Sequence, residues 1–150
     1  MKNIRFTKIG FDKLKKDYEN LQKNRPIAVA DLKKARDMGD LSENGYYKAA
    51  RSKLSEIDRN LRTLLYEIKN AVVIAGADKN AINIGSIIRL SDGKKEIKLS
   101  IVGDLEANPS LGKISLLSPI GQAVENKKAG DKVDIATPSG IITYKIISIS

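Results

Sequence analysis

Asp40 and Glu43 are the two residues of this sequence whose types and spacing could support chemistry at one place. They lie in a short polar segment, Arg36 to Gly45, between two long amphipathic stretches. Mg²⁺ commonly takes one or two protein carboxylates and completes its coordination shell with water and phosphate oxygens. Two carboxylates alone hold the ion weakly, so such a site would function only when a partner completes it.

The same two acids also have a purely structural interpretation. An Asp followed three residues later by a Glu has the spacing of a capping box, in which both side chains bind backbone N–H groups at a helix start. Either acid would also be stabilised by the positive end of the helix. The spacing therefore leaves a metal-ligand role and a capping role open.

Composition excludes most other catalytic chemistry. The 150 residues include no Cys and no His, which excludes disulfides, zinc fingers, Cys or His nucleophiles and imidazole bases. The sequence has no apolar run of membrane-spanning length and no signal-peptide pattern, so we expect a soluble, cytoplasmic protein that contacts no membrane.

Positive charge is concentrated in the first half of the chain. Residues 1–74 carry 17 Lys and Arg against 10 Asp and Glu, whereas residues 75–150 carry 10 against 8. A basic segment indicates a polyanion nearby, either nucleic acid or an assembly that holds it. The alternative is that these cations form only the solvated face of a coiled coil.

Helical periodicity flanks the polar segment on both sides. The positions that share a spacing of alternately three and four residues, which we call the seam, are Phe11, Leu14, Tyr18, Leu21, Arg25, Ala28, Leu32 and Ala35 before it, and Tyr47, Ala50, Leu54, Ile57, Leu61, Leu64, Ile68 and Ala71 after it. This spacing is typical of coiled-coil packing. A short connection makes the two helices antiparallel neighbours, with Asp40 and Glu43 at the tip, on the order of 45 Å from the base.

Helix boundaries follow from local signals. Thr7 is the predicted N-cap of the first helix, which should extend to about Met38 and end at Gly39. Pro26 predicts a kink or a loosened turn, because proline removes a backbone donor. The second helix should begin at about 41–43 and end between Lys69 and Ala71.

After Ala71 the pattern changes from helices to strands. We expect an extended segment over 71–76, strands near 86–90, 97–102, 113–117, 132–137 and 141–147, and hairpin turns at Asp92-Gly93 and 138–140. Ser118 followed by Pro119 predicts the start of one short helix through about Glu125. The fold class is thus α+β: a long antiparallel coiled-coil hairpin in residues 1–74, then a small, mostly antiparallel β domain in residues 75–150.

The tip segment resembles a known family. Ala35-Arg-Asp-Met-Gly-Asp-Leu-Ser-Glu-Asn-Gly-Tyr-Tyr-Lys-Ala-Ala-Arg51 is similar to the pattern A-R-x-x-G-D-L-x-E-N-A-E-Y-x-A-A-R of the bacterial Gre family of transcript cleavage (transcription elongation) factors, above all its GreA-like members. The resemblance continues in the segments 101–107, 114–120 and 137–140. It implies an N-terminal coiled coil and a C-terminal domain of FKBP-like fold.

The resemblance also implies a function and its residues. The partner would be bacterial RNA polymerase. The protein would also contact the nascent RNA 3′ end and the nucleic acid of the elongation complex, and would thus be DNA-binding. It would act as a monomer. The globular domain would dock at the rim of the secondary channel, and the coiled coil would enter it. Asp40 and Glu43 would help the polymerase hold its Mg²⁺, so the chain would need no cofactor or metal of its own and would not itself be an enzyme. Residues that would contact polymerase or RNA are Arg36, Ser42, Asn44, Tyr47, Arg51, Ser118 and Pro119.

One departure from the family pattern and three rival functions stay open at this point. Gly45-Tyr46 stands where the family usually has Ala-Glu, so a third tip acid is missing. The rivals are an inhibitor that occupies the polymerase channel, a plain nucleic-acid-binding coiled coil, and a prolyl isomerase. The last is disfavoured because Tyr144 is the only aromatic residue after position 74, and an isomerase needs an aromatic-walled pocket.

Overall fold

The structure, a computed structural model, describes residues 2–39, 44–76 and 78–150. Two compact units are present: Asp12–Asn70, and the chain up to Phe11 together with Ala71–Ser150. The predicted domains, residues 1–74 and 75–150, stay a prediction; in the structure the residues up to Phe11 are grouped with the second half of the chain. None of the helices in the described ranges has the length and apolarity that a membrane crossing requires.

The helical unit is the predicted hairpin. Helix α1 spans Lys8–Arg36 and helix α2 spans Gly45–Lys69. Every seam residue except Arg25 is buried or half-buried, with Leu14, Ala28, Ala35 and Ile57 the most enclosed. The alternating spacing therefore predicted the packed face correctly, because a stripe of small and aliphatic side chains on each helix must be removed from water.

Arg25 is the exception on the seam, and it lies beside the proline. Its guanidinium is exposed and pairs with Asp58 across the hairpin, with Nε donating to Oδ1 at 2.6 Å. Helix α1 continues through Pro26 without a break, and all residues from 22 to 27 are exposed. The helix is thus not interrupted at Pro26, and residues 22–27 have no buried side chain; the predicted kink or loosened turn stays a prediction.

Helix ends differ slightly from the prediction. Helix α1 ends at Arg36 and not at Met38, and a turn over residues 37–39 follows, with Gly39 in the left-handed region at φ 112°. Thr7 does cap the helix, since its Oγ1 accepts a hydrogen bond from the N–H of Gly10 at 3.0 Å. The predicted start of the second helix at 41–43 lies outside the described residues; the helix that is seen begins at Gly45.

A small parallel sheet was missed at the N-terminus. Strand β1, Ile4–Phe6, pairs in parallel with β2, Ala71–Val73, whereas sequence analysis assigned no element before Thr7. Parallel neighbours need a long crossover connection, and here residues 7–70 provide it. Three residues are too few to show period-two alternation, and for that reason β1 was not predicted.

The second unit also contains a five-stranded sheet. Its strands are β3 (Ile87–Ser91), β4 (Glu96–Val102), β5 (Lys113–Ser115), β6 (Lys132–Thr137) and β7 (Gly140–Ile149), in the order β5-β4-β3-β7-β6. All neighbours are antiparallel except β4 and β5, which are parallel. The predicted strands and both hairpin turns are confirmed, whereas the FKBP-like detail stays a prediction. A 3₁₀ helix at Pro109–Leu111 was not predicted.

The core of this unit is almost entirely aliphatic. Helix α3, Pro119–Val124, contacts β5 and β6 through the fully buried Val124. The other core residues are Ile82, Ile84, Ile88, Leu90, Leu99, Ile101, Ile114, Leu116, Val133, Ile135 and Ile146. Burial of this apolar surface is the main stabilising contribution of the unit.

Candidate functional site

The connection between the two helices is where the candidate metal-binding acids lie in the sequence. Asp40, Glu43 and Ser42 fall outside the described residues, but the helices on either side are defined. With a rise of 1.5 Å per residue, α1 and α2 are about 43 and 38 Å long. In the sequence, the acids follow the C-terminal end of α1 and precede the N-terminal end of α2.

Asn44 closes the hairpin at this end. It is the N-cap of α2, and its Oδ1 accepts a hydrogen bond from the N–H of Tyr47 at 3.1 Å. Its Nδ2 donates to the carbonyl oxygen of Ala35, in the last turn of α1, at 2.9 Å. One carboxamide thus satisfies a free donor at the start of one helix and a free acceptor at the end of the other. Asn44 was predicted to contact polymerase or RNA, and in the structure its side chain hydrogen-bonds to both α1 and α2.

The end of α1 is strongly basic. Lys33, Lys34 and Arg36 lie in its last turn, and all three are exposed. Cations at a helix C-terminus interact favourably with the partial negative charge of its free carbonyl groups. The last turn of α1 therefore presents three cations immediately before the two acids in the sequence, an arrangement that would attract phosphate groups toward the tip.

A basic depression continues along the exposed side of α2. Its volume is about 510 Å³, and its lining residues are Lys48, Arg51, Ser52, Ser55 and Arg59. The spacing of these residues places them on one face of the helix. Arg51, a predicted contact, lies here, whereas the predicted contact Tyr47 is half-buried in the seam. The depression offers three cations and two hydroxyl groups, which is suitable for binding a phosphate backbone.

The predicted docking segment in the second unit is built around the start of α3. Ser118 is its N-cap: the Oγ accepts from the N–H of Gly121 at 3.1 Å and donates to the carbonyl of Ser115 at 2.7 Å. Pro119 occupies the first helical turn and is exposed, as is Leu117. The Ser118 hydroxyl is thus used within the fold, and the surface open to a partner is the apolar one formed by Leu117 and Pro119.

Two acids of segment 101–107 bind the chain immediately before α1, a role that sequence analysis did not assign. The carboxylate of Asp104 is almost fully buried and accepts hydrogen bonds from Nε and Nη2 of Arg5 and from its N–H at 2.8 Å. These bonds raise the pKa of Arg5 above its usual value. Glu106 accepts from Thr7 through both its hydroxyl and its N–H. The segment therefore holds strand β1 and the first turn of α1 within the second unit.

Gly103 and Gly10 make room for this arrangement. A Cβ on Gly103 would lie 2.1 Å from a carboxylate oxygen of Glu106 and 2.4 Å from the backbone oxygen of Arg5, and a Cβ on Gly10 would also overlap the Glu106 carboxylate. Both separations are far below van der Waals contact. Gly103 is thus required by the close approach of the segment to the backbone of Arg5 and Phe6, whereas a Cβ on Gly10 would displace only the Glu106 carboxylate.

A cleft lies between the two helices beside the tip, and it was not predicted from the sequence. Its volume is about 540 Å³, and its lining residues are Ala28, Asp31, Lys34, Ala35, Met38, Tyr46, Ala49, Ala50 and Lys53. Within the described part of the chain, no three Asp or Glu side chains converge as a metal site would require.

Comparison with known proteins covers nearly the whole chain. Residues 4–73 match the family model "Transcription elongation factor, N-terminal", and residues 77–150 match "Transcription elongation factor, GreA/GreB, C-term". The protein is 38% identical to the transcription elongation factor GreA of Thermosipho melanesiensis, covering 97% of this chain and 96% of the relative. It is 39% identical to GreA of Nautilia profundicola, covering 95% and 91%.

Among solved structures, similarity extends to the GreA factor homolog 1 of Thermus thermophilus, at 24% identity and a TM-score of 0.48 over 99% of both chains. A GreA/GreB factor from Nitrosomonas europaea matches at 18% identity and a TM-score of 0.44, again over 99% of both. The family assignment is based on the two family models and on the relatives above 30% identity. The protein belongs to the GreA/GreB family of transcription elongation factors.

Proposed function

We propose that this protein binds bacterial RNA polymerase and stimulates the cleavage of backtracked RNA by the polymerase itself, so that arrested complexes resume synthesis. The observation that carries the proposal is the position of Asp40 and Glu43. They occupy the connection between two helices, each about 40 Å long, in a chain of this family. Two packed helices of that length can present a short acidic segment to a site that a globular surface could not reach.

The chemistry assigned to the acids is metal ligation in the partner. In hydrolysis of a phosphodiester with two metal ions, the ions generate the attacking hydroxide and stabilise the charge that develops on the phosphate. Carboxylates from Asp40 and Glu43 would raise the occupancy of a weakly held Mg²⁺ in the polymerase, which fits the preference of this ion for carboxylate and phosphate oxygens. The polymerase is then the enzyme, and this chain contributes ligands without a cofactor of its own.

The rest of the surface supports the same proposal. The cations at the end of α1 and along α2 would approach the phosphates of the RNA 3′ end and of nearby nucleic acid. The apolar surface of Leu117 and Pro119 would dock on the polymerase near the entrance of its secondary channel. The protein would work as a monomer in the cytoplasm, where the polymerase is found.

One assay distinguishes this function from its rivals. Elongation complexes are stalled in a backtracked register with RNA labelled at its 5′ end, and the protein is added without nucleotides. We expect shorter labelled RNA that is extended again when nucleotides are supplied. Slower extension without shortening would indicate an inhibitor of the channel, and no effect on either would indicate a plain nucleic-acid binder. The same RNA without polymerase serves as the control and should remain intact.

A further inference from the structure

The outer face of the five-stranded sheet carries four cations as two directly opposed pairs. Arg89 of β3 is the cross-strand partner of Lys98 of β4, and Lys132 of β6 is the partner of Lys145 of β7. All four are exposed, because side chains alternate between the two faces of a strand and the residues beside these four point into the core. Strands β3 and β7 are neighbours, so the two pairs adjoin. We call these four residues the basic sheet face.

The pairing on the basic sheet face is unfavourable for the free protein. Like charges directly opposite each other in an antiparallel pair destabilise the sheet. In the part of the chain that the structure describes, none of the four cations forms an ion pair. Asp134 lies on the same face, but its carboxylate accepts a hydrogen bond from the hydroxyl of Thr143 at 2.6 Å. An anionic partner would convert this repulsion into attraction.

Apolar side chains lie among the cations. Ile147 is 43% exposed and Ile87 is 38% exposed, both on the strands that carry the basic sheet face. A depression of about 370 Å³ lies beside Lys132, Lys145 and Ile147, which are among its lining residues. The carboxylate of Asp92 also lines it and accepts hydrogen bonds from two backbone N–H groups of its own turn. The surface thus offers positive charge and apolar area together.

This combination favours a protein segment over a nucleic acid. Proteins that bind single strands stack bases on aromatic side chains, and Tyr144, the only aromatic residue after position 74, packs against the core. Exposed isoleucines gain nothing from a phosphate backbone, whereas apolar side chains of a protein would remove them from water. The basic sheet face therefore matches a segment that carries both carboxylates and apolar side chains.

The spacing of the cations is suitable for a helix. Neighbouring strands are about 4.8 Å apart, so the four strands that carry the cations extend over about 14 Å. Acids three or four residues apart on a helix recur about every 4.5–6 Å along its axis. A helix of about ten residues could therefore place one carboxylate near each of the four strands.

The basic sheet face is separate from the predicted docking surface for polymerase. Helix α3 packs on the inner side of the sheet through Val124, which belongs to the core. Leu117 and Pro119 lie at the start of that helix, whereas the four cations are on the outer side. A partner bound to the cations would leave Leu117 and Pro119 accessible.

We propose that the basic sheet face binds an acidic, amphipathic helix of a partner protein, with carboxylates between the cations and apolar side chains on Ile87 and Ile147. This site goes beyond the proposed cleavage function and does not depend on it. If both hold, the chain connects the polymerase to a second protein.

The test uses a synthetic peptide as the partner. The peptide is helical, about 12 residues long, with glutamates at every third or fourth position and leucines beside them. Its affinity for the full-length protein is measured by anisotropy and compared with that of the same peptide carrying glutamines, and with that of a short DNA duplex. We expect the acidic peptide to bind most tightly, with an affinity that falls as the ionic strength rises.

Matched variants locate the site. Arg89→Gln with Lys145→Gln removes one cation of each pair and should weaken binding of the acidic peptide by about 2- to 30-fold, the factor for two surface ion pairs. Lys127→Gln with Lys128→Gln removes the same charge from exposed residues outside the sheet and should change the affinity little. Ile147→Ala should weaken binding of the peptide and leave binding of DNA unchanged.

Thermal unfolding of the free protein gives a second measurement. Because Arg89→Gln with Lys145→Gln relieves both like-charge pairs, its unfolding temperature should equal or exceed that of the wild type. A lower unfolding temperature would mean that the cations stabilise the sheet, and it would overturn the assignment of a binding role.

The binding results are decisive in either direction. Equal losses in the two double variants would show an effect of net charge alone, and tighter binding of DNA than of the acidic peptide would show a nucleic-acid surface; either result overturns the proposal, as does the absence of peptide binding. Arg89→Gln with Lys145→Gln should still stimulate RNA cleavage. A wild-type protein that binds the peptide but shortens no RNA would refute the cleavage function and leave this site standing.

Discussion

Asn44 provides the sharpest test of how the tip is held together. Its side chain accepts from the N–H of Tyr47 and donates to the carbonyl of Ala35. Loss of an N-cap costs about 0.5–2 kcal/mol, and loss of one further hydrogen bond costs about 0.5–1.5 kcal/mol. Asn44→Ala should therefore destabilise the tip by about 1–3 kcal/mol.

Graded variants separate the two bonds. Asn44→Asp keeps the oxygen that caps α2 but lacks the donor to Ala35, so it should cost only about 0.5–1.5 kcal/mol. Hydrogen exchange of the Tyr47 amide reports the cap directly, because that amide donates to Asn44. Its exchange should be faster by roughly 5- to 30-fold in Asn44→Ala, the factor expected for 1–2 kcal/mol, and nearly unchanged in Asn44→Asp.

The refuting result is also specific. If Asn44→Ala leaves exchange of the Tyr47 amide and thermal stability unchanged but abolishes association with polymerase, then the side chain is a contact residue and the tip closure inferred from the two hydrogen bonds is wrong. If Asn44→Ala instead lowers both thermal stability and association with polymerase, the geometry of the tip is needed for binding.

Three further predictions concern packing and charge. Ile57→Ala should lower the free energy of unfolding by about 2–5 kcal/mol, because Ile57 is the buried centre of the α2 seam. Ile27→Ala, at a site 62% exposed on α1, is the matched control and should change the free energy little; urea unfolding followed by circular dichroism measures both. Gly103→Ala should cost about 1–3 kcal/mol, since its methyl group would overlap backbone and a carboxylate, and calorimetry should show the loss. The hydrogen bond from Arg25 lowers the pKa of Asp58. The pair therefore stabilises the hairpin above the usual carboxyl pKa of about 3.9, and this stabilisation is lost as the pH falls through the lowered pKa. Asp58→Asn should remove that part of the acid dependence of unfolding, and an unchanged acid profile would contradict the pairing.

The hairpin was predictable because its signal repeats. Sixteen seam positions keep the alternating spacing of three and four, so a single polar residue such as Arg25 does not obscure the pattern. The strands and the start of α3 were likewise marked by turn residues and by the Ser118-Pro119 pair, whose N-cap geometry the structure confirms.

Features formed by contacts distant in sequence were not predictable. Strand β1 is only three residues long, and its partner lies 67 positions later. The bonds from Asp104 and Glu106 to Arg5 and Thr7 join residues 99 positions apart, and no local spacing marks such pairs. The cleft results from alanines on two helices facing each other, which depends on their register and not on either sequence alone.

The proposed function depends on Asp40 and Glu43, which lie outside the described residues. The N-cap of α2 is Asn44, so the cap that is seen does not require Asp40 or Glu43. The capping-box interpretation of these two acids is therefore a question for measurement of stability and activity together.

The most direct measurement is RNA cleavage by stalled polymerase with the double variant Asp40→Asn and Glu43→Gln. Asn caps a helix about as well as Asp, so these changes remove charge and metal affinity while keeping capping capacity. We predict that stimulated cleavage is lost, that thermal stability and polymerase affinity are retained, and that raised Mg²⁺ partly restores the weaker single variant. Full stimulation of cleavage by the double variant would contradict the claim that these carboxylates act as metal ligands.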